Sequence, residues 1–412
     1  MNKKLLTKII LSSVAIGSLS LVSAMFQINS NVPLPLMSIA QAKVQTYTGV
    51  GECIMSEFET QSIVQQRAAS RAIRQATEQA GVYLQTYSRS INGNLSNEEI
   101  SAIASNSYQV VGEVKYERII QQVTDESTAI VWKATVKVNV DDAEVRSWLN
   151  RDAQNQANIV NQNNTAQQAA AENDRQVEDL RKRARNATTD EERARIRTEY
   201  EQADNEFLAN QKFEEGNQLY YQQNYNGAIA KYNEVLQLNP NYAEAYYNRG
   251  CAYDDLDNNT AAISDYTKAI ELYPNYFEAY NNRGLAYYNM GNRNAAIIDY
   301  NKAIAINPND EIAYYNRGLA YQNIRNYNAA IADYTKAIAL NPNYLAAHNN
   351  RAIVYTLSGK FEEAIKDATK TIELHPDKGK AYYLRGIIYQ EMGDNMKAQA
   401  DFAKARELGY NG

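Results

Sequence analysis

Two histidines, two cysteines and two tryptophans among 412 residues leave this chain short of the side chains that most reaction chemistry uses. No Cys-x-x-Cys, His-Glu-x-x-His, Gly-Lys-Thr phosphate loop or Gly-x-Ser-x-Gly occurs, which removes the usual redox, zinc-hydrolase, nucleotide and serine-nucleophile signatures. The adjacent acids Asp254-Asp255 would point about 100° apart on a helix and make a poor acid–base pair. The sequence therefore predicts no enzyme, no cofactor and no metal site. Cys53 and Cys251 lie far apart in the chain and are not expected to form a disulfide.

Basic charge is also short. The chain has 42 Lys and Arg against 48 Asp and Glu, a net charge of −6. Lys3, Lys4 and Lys8 all precede the first acid, Glu52, so a chain starting at Lys43 has 39 basic against 48 acidic groups, or −9. That balance argues against nucleic acid and against an anionic membrane surface as partners.

Long apolar runs are missing after residue 26, and the one before it, Ile9–Phe26, follows a basic start. This is the pattern of an export signal over residues 1–42, with Ala40-Gln41-Ala42 as its small-residue cleavage site and Val22-Ser23-Ala24 as the shorter alternative. An uncleaved anchor is the competing reading, set against the run's five serines and its marginal length for a span. The expectation is an exported protein, periplasmic or secreted, with no stable membrane span once the signal is removed.

Proline is scarce too, and its placement is informative. Of seven prolines, five stand at Pro240, Pro274, Pro308, Pro342 and Pro376, each 34 residues after the last. Ala228, Ala262, Ala296, Ala330, Ala364 and Ala398 keep the same period, as do Gly216, Gly250, Gly284, Gly318 and Gly386. A fixed period of this length means one unit copied and stacked. Within one unit, Tyr280, Leu285, Tyr287 and Tyr288, then Ala296, Ile297, Tyr300, Ala303 and Ile304, recur at helical spacing. Asn307-Pro308-Asn309 ends the second helix, because proline disfavours a helical conformation in the residue before it.

The run Ala279–Pro308 and its copies resemble the tetratricopeptide repeat. Six units fit without gaps, at 209–242, 243–276, 277–310, 311–344, 345–378 and 379–412; positions below are counted from 1 within each unit. The resemblance implies antiparallel helix pairs stacked into a superhelix with a concave, partner-binding face. Positions 21 and 28 hold aliphatic residues in units 1 to 5 but Gln399 and Arg406 in unit 6, the polar outer face of a terminal repeat. In this family position 6 faces the groove, and here it holds Asn248, Asn282, Asn316 and Asn350. A primary amide both donates and accepts, so such a row can bond an extended backbone. It resembles the asparagine ladder of the O-linked N-acetylglucosamine transferase superhelix, or else it is ordinary family texture on an exposed helix face. Tyr247, Tyr315 and Tyr383 would add apolar contact, and Glu244, Asp254 and Glu278 would favour basic cargo in the first half. Asn350 and Lys380 match the carboxylate clamp of chaperone-binding repeats, but Leu384, Tyr315 and Leu319 break that clamp. Cys251, at position 9, and His348, at position 4, read as packing residues.

Before the repeats, residues 43–150 predict a small α+β domain of βαβαββ order: a strand over Val44–Met55, a helix over Thr60–Ala80, a strand over Val82–Ile91 closed by Asn92-Gly93-Asn94, a short helix opened by a Ser96/Glu99 capping box, and a hairpin of Tyr108–Val123 with Thr128–Val140. Gly49-Val50-Gly51, the Arg/Ala-rich helix, Gly81-Val82-Tyr83 and the closing hairpin resemble the N-terminal domain of flagellar assembly protein T and related small envelope lipoproteins. That resemblance implies an envelope docking or assembly role. A helix over 141–150 is expected to pack back onto the sheet. Residues 151–206 predict a linker: Asn, Gln and Ala to 170, mobile or frayed, then charged helix whose last stripe, Ile196, Tyr200, Ala203 and Phe207, would cover the first repeat at 207–412. The leading expectation is an exported adaptor that binds protein or peptide partners in its groove. The alternative is an envelope assembly factor that oligomerises through the N-terminal domain.

Overall fold

The computed structural model describes residues 44–90, 95–124, 127–141 and 153–411. The expected signal, the Asn92-Gly93-Asn94 turn and the helix over 142–150 lie outside the described residues. The chain divides into two compact units, one ending at Gln218 and one beginning at Leu219, with 237–239 grouped with the first.

The first unit is an α+β fold: β1 (Val44–Met55), α1 (Gln61–Ser90), α2 (Asn97–Ser107), β2 (Gln109–Val110), β3 (Lys115–Thr124), β4 (Ser127–Asp141), α3 (Ala153–Asn186) and α4 (Asp190–Tyr221), the last crossing the unit boundary. All pairing is antiparallel, with β1 on one side of β4 and both β2 and β3 on the other. The β3–β4 hairpin forms as expected, but its first strand is broken at Gly112, where φ is +74°. The expected strand over Val82–Ile91 is corrected: residues 82–90 continue α1. Val64, Ala68, Ala72, Ala76, Ala80 and Leu84 follow one another at four-residue steps, and all are buried. The first four press on Cys53, Trp132, Ala134, Val136 and Val138 of the sheet. Ala80 and Leu84 pack on Ile100 and Ile103 of α2 together with Val140 of β4. The order is therefore βααβββ.

The capping box is present. Ser96 Oγ accepts from Glu99 N at 3.2 Å, and Glu99 Oε2 accepts from Ser96 N at 2.7 Å. Residues 153–170, expected to be mobile or frayed, are helical: Val160 packs on the α1–α2 cluster and Gln167 Nε2 donates to Ser101 Oγ at 2.9 Å. The stripe expected to cover the first repeat instead closes an α3–α4 hairpin, with Ile196, Tyr200 and Ala203 buried against Val177, Leu180 and Ala184. Phe207 lies under the Arg67 guanidinium, 4.9 Å away. Arg67 also pairs with Asp204 at 2.8 Å, and Arg71 with Asp174 at 2.8 Å, which ties the hairpin to α1. Cys53 is buried and free, its Sγ 3.3 Å from Arg181 Nη2.

The second unit is a stack of helix pairs. After α5 (Tyr225–Leu238) come α6 (Ala243–Asp255) with α7 (Asn259–Leu272), α8 (Phe277–Asn289) with α9 (Arg293–Ile306), and α10 (Glu311–Asn323) with α11 (Tyr327–Leu340). Then come α12 (Leu345–Leu357) with α13 (Phe361–Leu374) and α14 (Gly379–Met392) with α15 (Asn395–Glu407). Helices α9 and α11 stop at Ile306 and Leu340, two residues before Pro308 and Pro342, as the proline rule requires. Glycine at position 8 has a packing cause. A Cβ on Gly250, Gly284, Gly318 or Gly386 would stand 2.7 Å from the ring at position 24. Where position 8 is Ala352, position 24 is Ala368 in place of a ring, and both are fully buried. Gln399 and Arg406 are exposed.

Candidate functional site

The first helices of successive pairs, α6, α8, α10, α12 and α14, pack on one another more closely than the second helices do. A stack whose first helices are nearer together curves toward them, so they line its concave side. Side chains at positions 2, 5, 6 and 9 share one face of each first helix.

On that face, hydrogen bonds join the third, fourth and fifth repeats each to the one before it. Asn282 Nδ2 donates to Tyr247 Oη at 3.1 Å, Asn316 Nδ2 to Asn281 Oδ1 at 3.2 Å, and Asn350 Nδ2 to Tyr315 Oη at 2.9 Å. Each bond runs from position 6 to position 5 of the preceding repeat. Position 5 alternates Tyr247, Asn281, Tyr315, Asn349 and Tyr383. Its tyrosines are braced by a second ring, Tyr276 on Tyr247 at 4.8 Å, Tyr344 on Tyr315 at 5.0 Å and Tyr410 on Tyr383 at 5.2 Å. Burial pushes the Tyr315 phenol up to about 12, only partly offset by its bond from Asn350. Burial also raises Tyr247 well above its ordinary value.

The predicted site residues thus come together along one face, but more deeply than expected. Asn248 and Asn282 are half-buried, whereas Asn316 and Asn350 keep only 8% and 4% of their surface. The reading of all four amides as exposed is corrected at those two positions: their Nδ2 groups are engaged between repeats. Asn316 and Asn350 each keep a second N–H and the carbonyl oxygen, whereas Asn282 also donates to Cys251 Sγ at 3.6 Å and keeps its carbonyl oxygen. Tyr247, Tyr315, Tyr383 and Lys380 are half-buried. Desolvation holds the Lys380 ammonium below its ordinary value. His348 packs as expected and also bonds, with Nδ1 3.0 Å from Asp367 Oδ1 and Nε2 3.0 Å from the Pro342 carbonyl.

Sequence reasoning missed a second network. In every pair from α6 on, an arginine at position 7 forms a bidentate ion pair with an aspartate at position 23. The pairs are Arg249–Asp265, Arg283–Asp299, Arg317–Asp333, Arg351–Asp367 and Arg385–Asp401, at 2.7–2.9 Å. The remaining Nη1 of each donates back to position 25 of the preceding repeat, to Asn233, Thr267, Asn301, Thr335 or Thr369, at 2.5–3.2 Å. The signal was available: both residues recur every 34 positions, always 16 apart. This bracket joins two repeats on the side away from the groove amides.

Acidic groups gather at the first repeats. Asp255 Oδ2 accepts from Tyr220 Oη at 2.6 Å, while Asp254 Oδ1 is buried without a partner. Burial, with Asp255 and Asp257 nearby, pushes the Asp254 carboxyl up to about 6. Below about pH 4 this group is protonated in both folded and unfolded chains and costs nothing. Above pH 6 it is ionised in both, and the folded state bears the desolvation penalty. Asp254→Asn is therefore expected to stabilise the array by roughly 1–3 kcal/mol at pH 7.5. The gain should fade as pH falls from 6 to 4, as read by thermal melts across that range.

No group of His, Cys, Asp or Glu among the described residues is arranged to hold a metal ion. No helix among them is long and apolar enough to cross a membrane.

Tetratricopeptide repeat models match residues 243–276, 277–310 and 312–344, and a further model of that description matches 333–366 and 368–400. A TPR repeat model matches 216–257. Among solved structures, MamA shares 31% identity with a TM-score of 0.38, over 39% of this chain and 94% of that one. PilW, a widely conserved type IV pilus biogenesis factor, shares 21% with a TM-score of 0.45, over 48% and 93%. YrrB, a TPR protein with an unusual peptide-binding site, shares 21% with a TM-score of 0.39, over 43% and 91%. No curated protein matches the chain.

Proposed function

We propose that this chain, whose C-terminal half is a tetratricopeptide-repeat array, is a non-enzymatic scaffold of the cell envelope that holds an extended polypeptide along the concave face of α6 to α14. The observation that carries this reading is the row of position-6 amides. Asn282, Asn316 and Asn350 are fixed in place by bonds to the preceding repeat, yet each keeps its carbonyl oxygen for a backbone N–H. A pre-positioned row avoids the cost of ordering each side chain on binding. The apolar N-terminal run supports export, and the α+β unit supports a docking role in the envelope.

Two pairs of variants separate an amide that serves a ligand from one that only joins repeats. Tyr247→Phe with Tyr315→Phe removes the acceptors and leaves the amides. Asn282→Ala with Asn350→Ala removes the amides. Each pair is expected to lose about 1–3 kcal/mol of stability. On a spotted array of random 12-residue peptides, the phenylalanine pair, which loses only the pre-positioning, should bind slightly less than the parent chain, and the alanine pair should bind several-fold less. Equal binding by both pairs would restrict the amides to the stack and move capture to another face.

A further inference from the structure

Position 2 stands one helical turn before the position-6 amide and on the same face. Along the stack it reads Glu244, Glu278, Ile312, Ala346 and Lys380. The row is acidic at one end, apolar in the middle and basic at the other. None of the three charged groups forms an ion pair among the described residues, although surface charges on the second helices do, as Lys268 does with Glu271 and Lys404 with Glu407. Burial raises the Glu278 carboxyl and lowers the Lys380 ammonium, so each charge is held partly out of water without a counter-ion.

We infer that the groove orients its polypeptide by charge: the partner is an extended segment with Lys or Arg over Glu244 and Glu278, apolar residues over Ile312 and Ala346, and Asp or Glu over Lys380. This rests on the groove reading above. Glu278 and Lys380 are three repeats apart. At about 9–10 Å between neighbouring first helices, that is about 30 Å, or about nine residues of extended chain. The expected segment therefore separates its basic and acidic ends by about nine residues.

The test uses the full chain and two fluorescein-labelled 16-residue peptides of identical composition, read by fluorescence anisotropy at low salt. One carries a basic block and an acidic block at opposite ends of an Ala/Leu centre, and the other interleaves the same charges. The segregated peptide is expected to bind about tenfold tighter, with the advantage shrinking as salt is raised. Glu244→Gln with Glu278→Gln should abolish the advantage, and so should Lys380→Gln. Glu278→Lys with Lys380→Glu should retain much of it, because the peptide can lie the other way round. Circular dichroism checks that each variant is folded. Equal affinity for the two peptides, or an advantage unchanged in the Gln variants, overturns charge orientation and leaves the groove reading standing. Binding of neither peptide overturns both.

Discussion

Arg317→Ala should cost the array about 3–5 kcal/mol, because it strands a buried carboxylate. Asp333 keeps only 8% of its side-chain surface, and Arg317 supplies both of its short ion-pair contacts. The same guanidinium holds Asn301 of the preceding repeat at 2.6 Å and lies over the Tyr314 ring at 5.5 Å. Replacing both partners, Arg317→Met with Asp333→Leu, should cost much less than the single change, since two desolvated charges then leave together. Urea unfolding with hydrogen exchange resolved on α10 to α13 separates the two cases. A single variant as stable as the parent would show that solvent reaches Asp333 and that the bracket contributes little.

A methyl group in β1 should be as damaging to the other unit. Gly49→Ala would place a Cβ 1.8 Å from the Ala72 carbonyl oxygen, and at Gly51 the nearest atom, the Ala68 carbonyl oxygen, is 2.1 Å away. Both obstacles are backbone of α1, so no side chain can rotate aside. The helix must lift from the sheet and expose Trp132 and Val136. A loss of about 3 kcal/mol or more is expected, the upper end for overpacking, which is a large share of a typical domain's stability. Gly112→Ala is the control. It has open space around it and only its φ of +74° to accommodate, so about 1–2 kcal/mol is expected. Tryptophan fluorescence during urea unfolding reads both. Equal midpoints for the two variants would mean that α1 and β1 have room to separate.

These two sites differ in how far the sequence announced them. The small-residue stripe of α1 suited a helix lying on a sheet, whereas the glycines at 49 and 51 stood out only as part of a resemblance and not as points of close approach. The arginine bracket was visible only as a pair of periods 16 residues out of phase, and nothing in composition says that two such rows meet. The misread strand at 82–90 shows the limit of local pattern. Val82, Tyr83, Thr86 and Tyr87 favour strands by residue type, yet one further four-residue step from Ala80 reaches Leu84, which is fully buried, while Val82 is 70% exposed. Burial on α2 outweighs the propensity. The amides share one face of the first helices, and two of the four, Asn316 and Asn350, lie deeper than expected. Their depth depends on how closely one first helix approaches the next, and that distance is set by side chains 34 residues away.

The bracket gives the second unit a mechanical character. Each arginine from Arg249 to Arg385 reaches back to the preceding repeat, so neighbouring repeats are riveted at one point on the outer side. A chain of equal rivets in series yields under tension one link at a time. Each rupture would release one 34-residue length, about 120 Å when extended. Pulled from its ends, the array would lengthen by equal increments and act as an extensible tether.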